Sequence, residues 1–465
     1  MKILILGAGR VGRSVTESLV SDANDITIVD ESADRIGQMQ ERFDLRGLVG
    51  DASSPSILSS AGAMDTDLLI AVTANDETNL VACTLAAQIF NIPMRIARVR
   101  DSELRHYPRI LGDEGFRATS VIWPEQALAT QISKLITFPA AQQVLNFADD
   151  KLTLFTVNPT ENAPLTGKTL EEAFRLMSDV KMRFISIYRR NRRLECRNDT
   201  VIAADDEITV LVSSDCAEKV IEALHPFEKA ETIVLINGGK LSELLTDNLE
   251  PARSKRRIKI FEGQEEVAVS LSKHLSSNKV SVSLVKHDDT HALMQEGIDQ
   301  ADVVVALSGN DEMNIMTALL AKKLGAKRSI VLLENQVYSD LVRGTEVDVT
   351  VSPTQASLGE LLRHIRYGDV VNAQELYQDK AEALEIIAHG TKKSSKVVGK
   401  TLREIAFPKG VSVGAIVRGE ADEATVLMAE PDLTVMDDDH LILFVPNKKV
   451  IQRIERLFEV DVGFF

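Results

Sequence analysis

Short apolar-rich runs alternate with stretches of helical period along the first quarter of the chain. The runs are Ile3–Leu6, Ile26–Val29, Leu45–Val49, Leu68–Val72 and Ile96–Val99. Apolar strands separated by helices predict βαβ units and a parallel sheet covered on both faces. Near residues 143–226, and again near 372–454, the pattern changes to short alternating strands, Asp-rich turns and one helix, predicting a small α+β unit. The segments PEQALATQISKLI (124–136) and PTQASLGELLRHI (353–365) each open with Pro and run with amphipathic period. They predict connecting helices rather than flexible linkers.

The two halves repeat. GAMDTDLLIAVTANDETN (62–79) returns as GIDQADVVVALSGNDEMN (297–314), and ILILGAGRVG (3–12) as IVLINGGKLS (233–242). In the back parts LTGKTLEEA (165–173) pairs with VVGKTLREI (397–405), and DDEITVLV (205–212) with DDHLILFV (438–445). Agreement over so many segments marks a tandem duplication. The expected fold is therefore α/β, with two Rossmann-like parallel-sheet lobes each followed by a small α+β lobe.

Composition narrows the function classes. The chain has 465 residues, 44% hydrophobic and 26% charged, with a net charge of −16. That excess of acid argues against a general binder of nucleic acid or anionic membrane, which needs basic surface. Cys83, Cys196 and Cys216 form no CxxC, so neither a disulfide framework nor a structural zinc site is expected. The N-terminal MKILILGAGR reads as a buried strand rather than a signal peptide, and no window approaches the apolar length of a membrane span.

Gly7, Gly9 and Gly12 of GAGRVG stand directly after the first apolar run and before the helical pattern Ser14–Leu19. In a strand–loop–helix these glycines supply a tight turn, close approach of backbone to a pyrophosphate, and close helix–strand packing. The helix start adds free N–H groups and the positive end of a dipole. Asp30 ends the second run 18 residues after Gly12, where a ribose-binding carboxylate belongs and where it would repel a 2′-phosphate. The expectation is NAD(H) over NADP(H). Asp51 either approaches the adenine or makes a turn or N-cap before Ala52-Ser53-Ser54. Thr73 and Ala74 end the fourth run at the ligand-binding edge, with Thr73 a partner for phosphate or ribose, and capping suffices to explain N-D-E-x-N (75–79). Arg98 is either a phosphate clamp or a surface ion pair, and Arg10 either covers the phosphates or points to water.

The second half departs from this pattern. Asn237, Gly239 and Ser242 replace the three glycines, Glu262 replaces Asp30, Lys286-His287 replaces Gly50-Asp51, and SIVLLEN has no counterpart of Arg98. A degenerate pocket is expected there, with Ser242 intruding between helix and strand. Other signals fall away. The G-K-T at 167–169 and 399–401 lacks the earlier P-loop glycine and reads as a turn into a helix. His287 and His291 have no third ligand, so no metal site is expected. The runs Arg189–Arg193 and Arg253–Arg257 read as solvated turns. No tyrosine has a lysine four residues on, and there is no GxSxG or HExxH. A chain that repeats its binding module suits a sensor better than an enzyme. An NAD-dependent oxidoreductase with an unrecognised catalytic set is the alternative, and a structural adaptor that binds nothing is the third reading.

The order GAGRVG, VD, GD, AVTANDETN and RIARVRD, followed by a GKTL segment and the whole repeated, resembles the tandem regulator-of-K⁺-conductance (RCK) family, the peripheral regulatory subunits of bacterial Trk potassium uptake systems. The resemblance extends to HIRYGDVV (364–371) and to the closing helix with Phe464-Phe465. It implies a first N-lobe over 1–123, a connecting helix over 124–142 and a first C-lobe over 143–227. A second N-lobe over 230–352, a helix over 353–370, a second C-lobe over 371–454 and a tail over 455–465 follow. It further implies NAD(H), with ATP and ADP as additional candidates, bound by Gly7, Ala8, Gly9, Arg10, Val11, Asp30, Thr73, Ala74 and Arg98. The implied partner is a membrane-embedded TrkH- or TrkG-like potassium pore, met by a homo-oligomeric ring, a tetramer, on the cytoplasmic face of the inner membrane without lipid insertion. The GGGxxG usual in the second N-lobe of the family is absent here.

Overall fold

The computed structural model describes residues 1–20, 24–190, 192–204, 206–249, 255–275, 277–365, 370–376, 381–419, 423–446 and 450–460. Asp205, Asn191 of the first basic run, Arg253 and Ser254 of the second, residues 366–369 of HIRYGDVV, and Phe464-Phe465 lie outside the described residues.

The first lobe holds strands β1 (Lys2–Leu6), β2 (Asp25–Asp30), β3 (Arg46–Val49), β4 (Leu68–Ala71), β5 (Met94–Arg98) and β6 (Ser120–Ile122). Between them run α1 (Arg10–Leu19), α2 (Ala33–Arg42), α3 (Pro55–Ser60), α4 (Asp76–Gln88) and the short α5 (Pro108–Leu111), and α6 (Pro124–Thr137) follows. The sheet is parallel in the order β3-β2-β1-β4-β5-β6. The central strand β4 is buried at every position, as expected where helices cover both faces. Helix α1 starts four residues earlier than the apolar pattern suggested, because Gly9 and Arg10 carry no apolar side chain to mark the turn they begin.

The first back lobe contains β7 (Ala141–Phe147), β8 (Leu152–Val157), α7 (Leu170–Leu176), β9 (Met182–Arg189), β10 (Arg192–Leu194), β11 (Asp206–Ser213) and α8 (Ala217–Leu224), with its antiparallel sheet in the order β10-β9-β11-β8-β7. Thr169 and Glu172 form a capping box at α7, and Gly167 takes a φ of +79° just before it, so the G-K-T segment is a turn into a helix.

The second front lobe repeats the first. It runs β12 (Thr232–Ile236), α9 (Lys240–Leu249), β13 (Arg257–Glu262), α10 (Glu265–His274), β14 (Val280–Leu284), α11 (Thr290–Gln295), β15 (Val303–Ala306), α12 (Asp311–Leu324), β16 (Arg328–Leu332), α13 (Gln336–Val342) and β17 (Val349–Val351), in the order β14-β13-β12-β15-β16-β17. Helix α14 (Pro353–Ile365) then leads to β18 (Val370–Glu375), β19 (Glu382–Ala388), β20 (Ser412–Arg418), β21 (Thr425–Met428), β22 (Asp439–Val445) and α15 (Ile451–Phe458), the last sheet ordered β18-β19-β22-β20-β21. Among the described residues no helix is long and apolar enough to cross a membrane.

Contacts divide the chain into two units, Met1–Leu128 with Ser352–Arg366, and Ala129–Val351 with Tyr367–Phe465. In the first, α14 packs on α1 and β6, and its Glu360 accepts a hydrogen bond from the Trp123 N–H at 2.9 Å. In the second, Phe147, Leu152, Leu154 and Leu211 of one back lobe share a core with Ala383, Ala415, Ile442 and Phe444 of the other. The opposite face of the first back-lobe sheet packs on α7 and α8 through Phe155, Val157 and Val210. Strand β8 is consequently buried at all six positions and does not alternate. With both faces covered, rather than one face and solvent, even its Thr153 and Thr156 are buried.

Glu385, 4% exposed, links these back lobes by accepting from the Ala148 N–H at 2.9 Å and pairing with His440 Nδ1 at 2.6 Å. The Glu385 hydrogen bond raises the pKa of His440 above its ordinary 6.5, opposed by burial and assisted by Asp149 and Asp438. A raised folded-state pKa means that this stabilisation is fully present below about 6.5 and is lost as pH climbs through the folded value. Denaturation at pH 6 and pH 8.5 is expected to show a larger fall in stability for the native chain than for His440→Gln. Equal falls in both would remove His440 from the account.

Candidate functional site

The loop between β1 and α1 is built from three glycines with three different constraints. Gly7 has a φ of +104°, and a Cβ there would lie 3.0 Å from Thr73 Cα, so the turn passes directly beneath the end of β4. A Cβ on Gly12 would stand 1.9 Å from the Gly7 carbonyl oxygen. Gly9 is different. Its φ is −72° and no atom lies within 4 Å of a Cβ placed on it, so neither the fold nor the backbone conformation requires glycine. The open place above it is of the kind a phosphate-binding loop offers to an incoming group.

Helix α1 opens with Gly9 as N-cap and no side-chain cap. The first helical bond of the loop runs from Arg13 N–H to Gly9 O at 2.9 Å, and among the described residues the Val11 and Gly12 N–H groups have no backbone acceptor. These donors, with the helix dipole behind them, suit a phosphate. Ala8 and Val11 are buried beneath the loop and Arg10 is exposed at its rim.

The flanking side chains come from neighbouring strands. Asp30 ends β2 and is largely enclosed; Oδ2 accepts from Ala8 N–H at 2.7 Å and Oδ1 from Ser32 N–H at 2.9 Å, with Arg35 3.7 Å away. Each oxygen keeps a lone pair, so the carboxylate braces the loop and can still accept from a ribose diol. Asp51 is exposed, and its Oδ1 holds the Ser53 N–H at 2.8 Å and hydroxyl at 2.7 Å. These bonds keep its carboxyl below the usual range. Of its two readings, the structure displays the turn.

Thr73 and Ala74 follow β4, Thr73 partly buried and Ala74 exposed, and Arg98 ends β5. What joins them is Asn79, fully buried on α4. Its Oδ1 accepts from the Thr73 N–H at 3.0 Å and hydroxyl at 2.8 Å, and its Nδ2 donates to the Arg98 carbonyl at 2.9 Å. Capping therefore does not exhaust N-D-E-x-N. Asn75 caps α4 through Thr78 N–H, whereas Asp76 receives the Arg100 and Asp101 N–H groups at 2.8 and 2.9 Å, and Asn79 sutures β4 to β5. The repetition of the whole motif in both halves was the available signal, since a cap uses only the first residue.

Sequence reasoning also passed over Glu125, second in α6. Burial pushes its carboxyl up, while Arg98 and Arg100 pull it down and Asp76 pushes it up. Arg98 thus faces an acid on the connecting helix.

The second lobe keeps the frame and changes the loop. Glu262 Oε1 accepts from Gly239 N–H at 2.8 Å, and Asn314 holds Ser308 and the Leu332 carbonyl as Asn79 holds Thr73 and Arg98. Burial pushes the Glu262 carboxyl up. Ser242 does not pry helix from strand. Gly238 stands where the first lobe has Ala8, and a Cβ there would lie 2.2 Å from Ser242 Oγ, so the hydroxyl fills the space that the missing methyl leaves. The first turn of α9 also closes on itself, Leu241 N–H to Gly238 O and Ser242 N–H to Gly239 O, both at 3.0 Å. The donors left open in the first lobe are engaged in the second.

The chain matches the TrkA-N domain over residues 3–124 and 233–353 and the TrkA-C domain over 391–459. It is 40% identical over 466 residues to the Trk system potassium uptake protein TrkA of Vibrio alginolyticus, covering 100% of both chains. The chain belongs to the TrkA family. The TrkA of Halomonas elongata is also 40% identical, over 469 residues and 100% of both chains. Among solved structures, the GsuK channel bound to NAD superposes with a TM-score of 0.60 at 17% identity, covering 98% of this chain and 78% of that one, a likeness of fold. The two TrkA-N matches fall on the two parallel-sheet lobes, as the tandem duplication requires. The TrkA relatives are named for potassium uptake and not for a reaction, which sets the dehydrogenase alternative aside.

Proposed function

We propose that this TrkA-family chain is a cytoplasmic nucleotide-sensing regulatory subunit that gates a membrane-embedded TrkH- or TrkG-like potassium pore as a homo-oligomeric ring, a tetramer, on the inner face of the membrane. NAD(H) binds the first N-lobe, and ATP and ADP compete there. The observation that carries the reading is the Gly9 loop, with an open place for a group above it and open N–H donors in the first turn of α1. Gly7 to Gly12 take the pyrophosphate, Asp30 a ribose, Thr73 and Ala74 the far edge, and Arg98 the phosphate charge. Asp51, engaged with Ser53, stays at the adenine rim. The NAD-bound GsuK channel, which shares the fold, supports the choice of dinucleotide.

Gating follows if ligands favour different arrangements of the connecting helices. A ligand shifts such an equilibrium only through different affinities for its states. Helix α14 lies on α1, which begins at the loop, and α6 carries the Glu125 that faces Arg98. Both helices are therefore adjacent to elements that the nucleotide would touch.

Calorimetric titration with NADH, NAD⁺, NADPH, ATP and ADP tests the site, and potassium uptake by cells carrying the variants tests the coupling. Asp30→Asn is expected to weaken NADH about tenfold, the weight of a hydrogen bond to a charged group, and to narrow the preference over NADPH. Equal affinity of the native chain for NADH and NADPH would overturn the Asp30 assignment. Unaltered uptake in a variant that no longer binds nucleotide would overturn the gating role.

A further inference from the structure

We infer that Arg328 makes the second front lobe the anchor of the connecting helix α6. Its guanidinium clasps the turn in which α6 ends, so that a displacement begun at the first ligand edge is carried into the first back lobe. The inference rests on the nucleotide reading of the first lobe and gives its coupling a named residue and the second lobe a task.

The turn runs from Phe138 to Ala141 and is closed by the Ala141 N–H donating to the Phe138 carbonyl at 2.9 Å. Arg328, at the start of β16 and 7% exposed, donates to both of its ends, through Nη1 to Phe138 O at 3.4 Å and through Nη2 to Ala141 O at 2.5 Å. Arg256, half-buried just before β13, adds a bond of 3.2 Å to the hydroxyl of Thr137, the last residue of α6. Both cations stand at the helix C-terminus, where the carbonyl end of the dipole favours positive charge. Ala140 and Ala141 belong to the core of the first back lobe, and Phe138 packs against it. What holds this turn therefore holds that lobe.

The parallel-sheet fold does not itself call for an arginine here. A guanidinium taken out of water is costly. Burial pushes the Arg328 pKa down to about 10, which leaves it charged at neutral pH, and Asp348, the acid whose charge acts on it, is itself engaged by Ser329 and Lys322. The first front lobe has an apolar side chain in the matching place: Met94 pairs with Leu68 in the register in which Arg328 pairs with Val303. The charge is thus particular to the lobe whose glycine loop has closed on itself, and what it touches is the end of α6. The boundary between the two units falls within α6, after Leu128. Its first turn carries Glu125, on which the Arg98 charge acts, and its last residue leads into the clasped turn. A helix held at its far end passes a displacement on, whereas an unheld turn absorbs it. Arg328 touches no residue of the ligand edge and is a positioning residue.

The test is amide hydrogen exchange on the full chain with and without saturating NADH, beside calorimetry, for the native protein, Arg328→Met and Arg328→Lys. In the native chain NADH is expected to change the exchange of residues 129–147. In Arg328→Met the exchange of residues 138–145 is expected to rise about tenfold without ligand, the weight of a hydrogen bond to a charged group. There the effect of NADH is expected to stop short of residue 138, while NADH affinity stays within about twofold, as for changes at distant, independent sites. Arg328→Lys keeps the charge but lacks the planar fork that spans both carbonyls, and is expected to behave as Arg328→Met. Should Arg328→Met fold poorly, the lysine variant and the native chain decide. Bound NADH that leaves residues 129–147 of the native chain unchanged, an NADH effect that still passes residue 138 in either variant, or unchanged exchange of the turn in Arg328→Met would each overturn the inference while leaving the nucleotide site standing. Absence of NADH binding to the native chain would overturn the nucleotide reading and the inference with it.

Discussion

Gly12→Ala is expected to cost about 3 kcal/mol of stability and to abolish nucleotide binding, whereas Gly9→Ala is expected to abolish binding while costing less than about 1 kcal/mol. A methyl on Gly12 would stand 1.9 Å from the Gly7 carbonyl oxygen and 3.0 Å from its carbon. Backbone cannot yield as a flexible side chain does, so α1 must move off β1 and the loop with it. On Gly9 the same methyl meets nothing within 4 Å, at a φ of −72° that every residue adopts. The only loss on folding is the poorer N-cap. With a nucleotide present, that methyl occupies the ground over which a pyrophosphate would pass. Denaturant titration gives the two stabilities and calorimetry the affinities. Undiminished NADH binding by Gly9→Ala would show that the loop does not hold phosphate, whatever happens at Gly12.

Asn79→Leu is expected to be the most destabilising single change in the first lobe outside the apolar core, by roughly 3–5 kcal/mol. The leucine keeps the branched skeleton but is bulkier and apolar, and it leaves the partly buried Thr73 N–H and Arg98 carbonyl without their partner, each such loss costing about 1–3 kcal/mol. Against the roughly 5–15 kcal/mol that usually separates a domain from its unfolded state, the lobe is left marginal. Because Thr73 and Arg98 stand at the ligand edge, nucleotide affinity falls with stability. Asn314→Leu removes the same bonds from Ser308 and the Leu332 carbonyl in the second lobe. It is expected to destabilise as strongly without altering the affinity of the first site. Two denaturation curves and two titrations separate the outcomes. An Asn79→Leu chain of native stability would contradict the role of the suture.

Much of the architecture was legible from local pattern. Strands such as β1 and β4 are short and wholly or almost wholly apolar because both faces are covered, and that alone distinguishes a parallel sheet from its surroundings. The glycine loop was legible because turn geometry and close packing at Gly7 and Gly12 admit no side chain. Asp30 was legible because its distance along the chain from the loop reflects one complete βαβ step. The alternation assigned to the back lobes was not observed in β8, since a second back lobe covers the face expected to meet solvent. The degree of damage in the second loop was also misjudged at Ser242. Its fit depends on Gly238, a reciprocal exchange that appears only when helix and strand are side by side.

The duplication, the order of strands and helices, the loop and its acid, and the family were all readable from the residues alone. The order, the loop and its acid depend on residues close in the chain, where period, turn preference and spacing act directly, and the duplication and the family on whole segments matched one against another. It took the folded chain to show that Asn79 serves Thr73 and Arg98 rather than its own helix, that Asp51 is engaged with Ser53 while each Asp30 oxygen keeps one lone pair, that Glu125 lies close enough to Arg98 to feel its charge, and that α14 returns to pack on α1. Each of these depends on which strand lies beside which and in what register. Hydrogen bonds are short and directional, so their partners are fixed by that register and not by the identity of the residues alone.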